Sequence, residues 1–250
     1  MSSATLQPDR VVAAHRGASR YAPENTLSAC EKAMSMGAMA IELDVHLTSD
    51  GQLVVIHDAR VDRTTSGTGG VAELSAVEVA ALDAGSWRSP EFAGERVPTL
   101  EQVLRLTAGR ARLNIEIKAV RGGPAAAKVV EAVSEHDAAG RAVLMSFDLS
   151  SVLAAKRCAL ARGLDLATSG LAVLPIVGER LLDPFGFVQS TGLDGLNYPP
   201  QFWDDSIIRR FRGSGLVVHG GLINDHDVLD KFFEMGGQMA DSDNPACFAG

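Results

Sequence analysis

From Ile41 to Asp58 the chain reads IELDVHLTSDGQLVVIHD, an apolar strand pattern interrupted by charged residues. Side chains on a strand alternate between its faces, so Glu42 and Asp44 point the same way. They repel each other unless something positive lies between them. Glu116 and Lys118 in IEIK also share a face, while His15 and Arg16 close the run RVVAAHRG and His57 closes QLVVIHD. Glu42, Asp44 and Glu116 together make an all-oxygen site that suits one hard divalent cation, Mg2+ or Ca2+. No cysteine lies among these motifs, so zinc fits less well. His15 and His57 titrate near neutrality when unperturbed, as a general acid and base require. Arg16 and Lys118 offer donors to an oxyanion, the arginine fork being matched to phosphate. A divalent ion, two cations and two histidines describe phosphoryl transfer with acid–base help.

Such a constellation needs strands that deliver their ends to one place. RVVAAHRG runs into a turn, and ENTLSACEKAMSMG follows as a helix that Thr26 can cap and Gly37 can stop. AIELDV is a second strand, and the Asp50–Gly51 turn leads into the extended QLVVIHD. Capping boxes at Ser75/Glu78 and Thr99/Gln102 open the helices ELSAVEVAALDAG and TLEQVLRLTAG. ARLNIEIK is a third strand, followed by AAAKVVEAVSEHDAAG as a helix, and RAVLMSF with SSVLAAKRCALARG repeats the pair. LDLATS, LDGLNYP, SGLVVHGG and GGQMADSD complete the strand candidates, with the helical DDSIIRRF and DHDVLDKFFEMG between them. About eight strands mostly separated by helices in 250 residues predict an α/β fold, a closed (β/α)8 TIM barrel. A doubly wound open sheet is the alternative, but no GxGxxG follows the first strand to make a dinucleotide site. The chain reads as one barrel domain over 1–250, with residues 59–98 as a small insertion after the second strand, beside the mouth. In a barrel the reactive face is at the carboxyl ends of the strands, where all the charged positions above fall.

Composition narrows the partners. Apolar content of 46% and charged content of 22% are those of an ordinary globular protein. The net charge of -8 argues against nucleic acid or an anionic membrane surface as partner. An anionic substrate would need a local positive centre. No apolar run approaches the roughly 18 residues of a membrane span, so no stable membrane insertion is expected. The start, MSSATLQPDR, lacks the basic and apolar regions of a secretory signal. Cys30, Cys158 and Cys247 are odd in number and far apart, which reads as reduced thiols in a cytoplasmic enzyme.

The segments HRG at 15–17, PENT at 23–26, ELDVHLTSDGQLVVIHD at 42–58, DRTTSGTG at 62–69, VPTLEQVL at 97–104 and IEIK at 115–118 resemble the glycerophosphodiester phosphodiesterase family, and MSF at 145–147 also fits. The likeness is dense over residues 11–118. It implies a TIM barrel, a divalent metal, and hydrolysis of small glycerophosphodiesters to an alcohol and glycerol 3-phosphate. By position it implies His15 and His57 as the acid–base pair, Glu42, Asp44 and Glu116 as metal ligands, and Arg16 and Lys118 as phosphate contacts. Glu24 and Asn25 would support the mouth.

The second half departs from that pattern. A tryptophan-containing WTVN-like stretch is usual on the seventh strand of such proteins; here the chain reads VVHGGLIND, and the closing TDRPD-like stretch is SDNPA. The aromatic wall against glycerol is therefore open, and His219 is expected to line part of that space. His46 is read as structural, TSGTGG as a turn or lid, and His136 and His226 as helix-end residues. Two other functions compete: a related barrel phospholipase D-like activity on a lysophospholipid or sphingolipid, and a catalytically silent binding barrel. The intact histidines and carboxylates argue against silence.

Overall fold

The computed structural model describes residues 10–118 and 123–248, so the reading of the first nine residues lies outside the described part. Strands β1 (Val11–His15), β2 (Ala40–Leu47), β3 (Leu53–Val55), β4 (Arg112–Ile117), β5 (Ala142–Ser146), β6 (Ala172–Pro175), β7 (Gly195–Tyr198), β8 (Val217–Leu222) and β9 (Met239–Ser242) form one sheet. Its order is β6-β5-β4-β2-β1-β9-β8-β7, all parallel, with β3 antiparallel on β2 and outside the ring. The ends meet: Asp194 N donates to Val173 O at 3.1 Å, and Val177 N to Asn197 O at 3.0 Å. Eight parallel strands thus close into a barrel.

Helices α1 (Leu27–Ser35), α2 (Ala76–Ala81), α3 (Leu100–Leu106), α4 (Pro124–Glu135), α5 (Leu149–Ala161), α6 (Pro184–Thr191), α7 (Asp205–Gly213) and α8 (His226–Glu234) lie between the strands. Thr26 accepts from Ala29 N, and the boxes at Ser75/Glu78 and Thr99/Gln102 both form, so these helices start where their caps say.

The strand period of two divides the core. Ile41, Leu43, Leu113, Ile115, Leu144 and Val173 face the helices, while Val11, Ala13, Ala40, Met145, Leu174 and Met239 pack inside the barrel. Each fully buried Leu, Ile or Val contributes about 1.5–3 kcal/mol. The inner faces of β1 and β2 change character toward their carboxyl ends: Ala40 is followed on that face by Glu42 and Asp44, Ala13 by His15. Residues 59–98 build a core of their own from Val54, Ile56, Val61, Val71, Val79 and Val97, which fixes the insertion against β3.

One expected strand is absent. LDLATS is a helical turn: Gly163 takes φ +71° to end α5, Asp165 Oδ1 accepts from Thr168 N at 2.7 Å, and Ser169 N returns to Asp165 O. The sixth strand is AVLP at Ala172–Pro175, buried throughout. A barrel strand covered on both faces is continuously apolar, and the alternating LDLATS imitated a half-exposed strand that a barrel does not need. Helix α6 gave no periodic signal because PFGFVQST includes Gly186; Asp183 caps it and Gly192 ends it at φ +68°.

The turn after β1 leaves no room for a side chain at its glycine. Gly17 sits at φ +77°, and a Cβ added there would lie 2.7 Å from the backbone carbon of Ala29. Gly17→Ala is expected to destabilise the fold by about 2–4 kcal/mol through strain and overpacking. Chemical denaturation should show the loss as a lower midpoint with an unchanged slope.

Candidate active site

His15, at the end of β1, donates from Nδ1 to Asp243 Oδ1 at 2.7 Å, and its Nε2 lies 3.8 Å from Glu42 Oε2. The next residue, Arg16, is held at φ +56°, a left-handed conformation that costs a non-glycine residue about 1–2 kcal/mol. The strain aims the chain: Arg16 N donates to Glu42 Oε2 at 3.0 Å, its Nη1 donates to Glu24 Oε1 at 2.9 Å, and its Nε stands 3.4 Å from Asp44 Oδ2. Asn25, also left-handed at φ +59°, donates to Asp44 Oδ2 at 2.8 Å, and its own side-chain oxygen accepts from Asp44 N at 3.2 Å.

Register brings the carboxylates together. Glu42 is level with His15 on β1 and with Asn114 on β4, and Asp44 is level with Glu116. One oxygen from each of Glu42, Asp44 and Glu116 lies within 4.8 Å of the others, and all three residues are buried. Lys118 Nζ donates to Glu116 Oε1 at 2.9 Å and stands 3.3 Å from Asp44 Oδ1. Burial pushes Glu42 well above the usual carboxylate range, with Asp44, Asp241 and Glu116 adding to the rise. Burial and the neighbouring Asp44 also raise Glu116, against the pull of Lys118. Burial works on Asp44 as well, but Lys118 and Arg16 outweigh it and hold that group below its ordinary value. Asp44 Oδ1 is buried without a hydrogen bond despite its cationic neighbour. Two cations therefore face four acids, counting Asp241, and the three clustered oxygens fit a single hard divalent ion with metal–oxygen distances of about 2.0–2.6 Å.

His57 is fixed from outside the barrel. Its Nδ1 pairs with Asp58 Oδ1 at 2.6 Å, and Arg63 from the insertion donates to both oxygens of Asp58, at 2.6 and 3.1 Å. Arg63 holds Asp58 far below its ordinary pKa. The same guanidinium donates to both oxygens of Glu24, at 2.9 and 2.8 Å, so one arginine ties the His57 segment to the turn that carries Arg16. Arg63 thus braces the mouth from residues 59–98. His46 supports His57 through a 3.0 Å contact from Nε2 to the His57 carbonyl, in keeping with a structural role.

The structure brings His15, Arg16, Glu42, Asp44, Glu116 and Lys118 into contact distance of one another's groups, while His57 acts on Asp44 only through its charge. Sequence reasoning assigned no role to Asp243, Asp58, Arg63, Asn114, Asn197 or Asp241. Asp58 and Arg63 stood inside quoted motifs, and a carboxylate beside a histidine is a readable signal; Asp243 is 228 residues from His15 and only folding joins them. His219 is fully buried, with Nε2 3.1 Å from Asn114 Nδ2 and 3.5 Å from Asp241 Oδ1, and lies beneath the cavity without lining it. The glycine amides of TSGTGG bond locally, Gly67 N donating to Thr65 Oγ1, Gly69 N to Asp62 and Gly70 N to Glu73, in keeping with a turn. His136 and His226 sit at helix ends as expected. A cavity of ≈ 190 Å³ opens beside His15, Glu42 and Glu116, its far wall formed by Met145, Phe147, Ile176, Val177, Pro199 and Leu222. Phe147, 63% exposed, is the aromatic residue of this lining.

Fold and mouth define a (β/α)8 barrel whose strand ends carry a candidate divalent-ion site flanked by two carboxylate-paired histidines. The chain belongs to the glycerophosphoryl diester phosphodiesterase family, whose model matches residues 15–246. It is 45% identical over 152 residues to a glycerophosphodiester phosphodiesterase of Caldanaerobacter subterraneus, covering 60% of this chain and 63% of that protein. The chain spans between half and just under two thirds of the length of the first curated relatives it matches. Solved structures match over nearly their whole length. A glycerophosphodiester phosphodiesterase from Agrobacterium tumefaciens aligns with a TM-score of 0.79 at 30% identity, covering 96% of this chain and 98% of that one. An Oleispira antarctica phosphodiesterase in complex with the product sn-glycerol-3-phosphate aligns with a TM-score of 0.82 at 29% identity, over 95% and 94%. No helix among the described residues is long and apolar enough to cross a membrane.

Because the Glu42 pKa is raised in the fold, its ionised form opposes folding at neutral pH, and that cost is relieved as pH falls through the raised value. Glu42→Gln is therefore expected to stabilise the ion-free protein at pH 7 by about 0.5–2 kcal/mol, as changes at strained functional sites do. The same variant should lose most of the rise in melting temperature that added Mg2+ or Ca2+ gives the unaltered protein. Thermal melts with and without the ion check both halves.

Proposed function

We propose that this protein hydrolyses small glycerophosphodiesters to an alcohol and glycerol 3-phosphate. The observation that carries the reading is the convergence of His15 and His57, each bonded to its own carboxylate, on the Glu42, Asp44 and Glu116 cluster with Arg16 and Lys118 beside it. Glu42, Asp44 and Glu116 would hold Mg2+ or Ca2+, which supplies positive charge against the substrate phosphate and acidifies a coordinated oxygen. Arg16 and Lys118 then act as phosphate contacts; Lys118 faces Glu116 and Asp44 with two of its three hydrogens and has a third for an oxyanion. His15 and His57 are the acid–base pair. Asp243 and Asp58 each fix one ring nitrogen and leave Nε2 of the ring to move protons. The product complex of the Oleispira antarctica relative supports glycerol phosphate as the product class. The full set of acids and histidines sets the silent-barrel reading aside. The three free cysteines support a cytoplasmic location.

The direct test is a panel of glycerophosphodiesters with Mg2+ or Ca2+, followed by released glycerol phosphate. Turnover should vanish in chelator and return with the ion, and His15→Ala or His57→Ala should each lower kcat by about a hundredfold or more. The double variant should be little worse than either single one, because both groups serve one proton cycle. Release of glycerol phosphate at full rate in excess chelator would overturn the metal assignment.

Among the described residues no hydrogen bond joins a serine or cysteine to His15 or His57; Ser146 Oγ, for instance, is buried and donates to Ile117 O at 2.6 Å. The substrate carries its own, the glycerol hydroxyl next to the ester oxygen. One histidine takes the proton of that hydroxyl while the other protonates the departing alcohol, which gives a cyclic phosphate that water then opens. Internal attack avoids ordering a second molecule, a saving of up to several kcal/mol. A substrate analogue lacking the adjacent hydroxyl should bind yet turn over very poorly; turnover comparable with the parent would favour direct attack by water.

A further inference from the structure

The cavity beside His15 holds two polar side chains that the reaction above leaves unused. Asn197, on β7, is 2% exposed; its Nδ2 makes only a 3.4 Å contact to Met145 Sδ, and its Oδ1 has no partner. Asp241, on β9, accepts from Asn114 Nδ2 through Oδ1 at 2.8 Å, and no protein donor reaches its Oδ2 among the described residues. Both line the cavity.

Strand β8 runs between them and is irregular there. Asn197 is level with His219 and Leu222 with Asp241, with a register break between Gly220 and Leu222, so Gly221 is the extra residue of a bulge. Bulges next to active sites re-aim side chains. Packing does not demand glycine at 221: an added Cβ would meet Asn197 Oδ1 at 3.5 Å and Pro199 Cα at 3.8 Å, ordinary contact distances, and the backbone is not left-handed. The missing side chain leaves the cavity wall without a Cβ beside the buried, unpartnered Asn197 oxygen.

Two acceptors without donors call for a ligand that brings hydroxyl hydrogens. The Asp241 carboxylate also repels a phosphate, so the anionic part of a substrate is sent toward Arg16 and Lys118 and a neutral arm toward β7–β9. We propose that Asn197 and Asp241, with Gly221 beside the asparagine, form a subsite that accepts hydrogen bonds from the terminal hydroxyl of the glycerol moiety and selects a polyol over a shorter or deoxygenated alcohol. This rests on the reading of the protein as a glycerophosphodiesterase. The hydroxyl in question is the one remote from the ester, distinct from the adjacent hydroxyl that attacks.

The test compares a glycerophosphodiester with an analogue whose terminal hydroxyl is replaced by hydrogen and whose adjacent hydroxyl is kept. The unaltered protein should prefer the parent by about tenfold or more in kcat/KM, mainly through KM, the scale of a hydrogen bond to a charged or buried acceptor. Asn197→Leu and Asp241→Leu should each cut that preference to below about threefold. Since Asp241→Leu also strips Asn114 of a partner and can impair folding, Gly221→Leu serves as a further variant, covering the Asn197 oxygen with Asp241 intact, and should act alike. Equal handling of the two substrates by the unaltered protein overturns the subsite, as does an equal loss on both substrates in Asn197→Leu and Gly221→Leu. Turnover of no glycerophosphodiester at all removes the functional reading and the subsite with it, an outcome separate from activity without discrimination.

Discussion

Glu42, Asp44 and Glu116 are driven into one buried corner by the pairing of β2 with β4, against their mutual repulsion. Two of the three are pushed toward protonation, chiefly by burial, and the third is held down against its burial by Lys118, Arg16 and the Asn25 hydrogen bond. The surrounding architecture can be understood as what this crowding requires. A left-handed arginine, a left-handed asparagine and a glycine with no room for a Cβ all lie in the single turn that delivers donors to Glu42 and Asp44. Strain of that kind persists where neighbouring structure over-determines it and where a bound group relieves the charge.

The two histidines meet this corner by different routes, although each has a carboxylate behind it. His15 is part of the barrel wall, and its partner Asp243 follows the last strand, held in place by Asn224, which donates to Asp243 Oδ2 at 3.0 Å. His57 stands outside the ring after β3, and needs Arg63 of the insertion to keep Asp58 in place. Arg63 also grips Glu24, so the insertion couples the His57 segment to the Arg16 turn through side chains alone. A surface ion pair contributes little, but a guanidinium forked across two carboxylates defines geometry as well as charge.

Charge is segregated around the cavity. Acids, histidines and cations crowd the β1, β2, β4 and β9 side, while β5 to β8 present Met145, Phe147, Ile176, Val177 and Leu222 with Asn197 among them. Such a cleft takes a substrate with one strongly anionic end and one neutral arm, and it sets the direction in which that substrate lies.

The sequence alone determined the kind of barrel and which charged residues share a strand face, because strand period and helix caps are local matters. Strand alternation puts Glu42 with Asp44 and Glu116 with Lys118, and capping boxes mark their own helices. Where alternation misled, at LDLATS, the reason was burial on both faces, which erases the period-two signal in the true strand Ala172–Pro175. The tertiary structure decided what stands behind those positions. Asp243 reaches His15 across 228 residues, Asn114 and Asp241 meet across 127, and the bulge at Gly221 depends on the register of three strands. Side-chain period and capping act over a few residues, whereas these partners are joined only when the ring closes and its register is set.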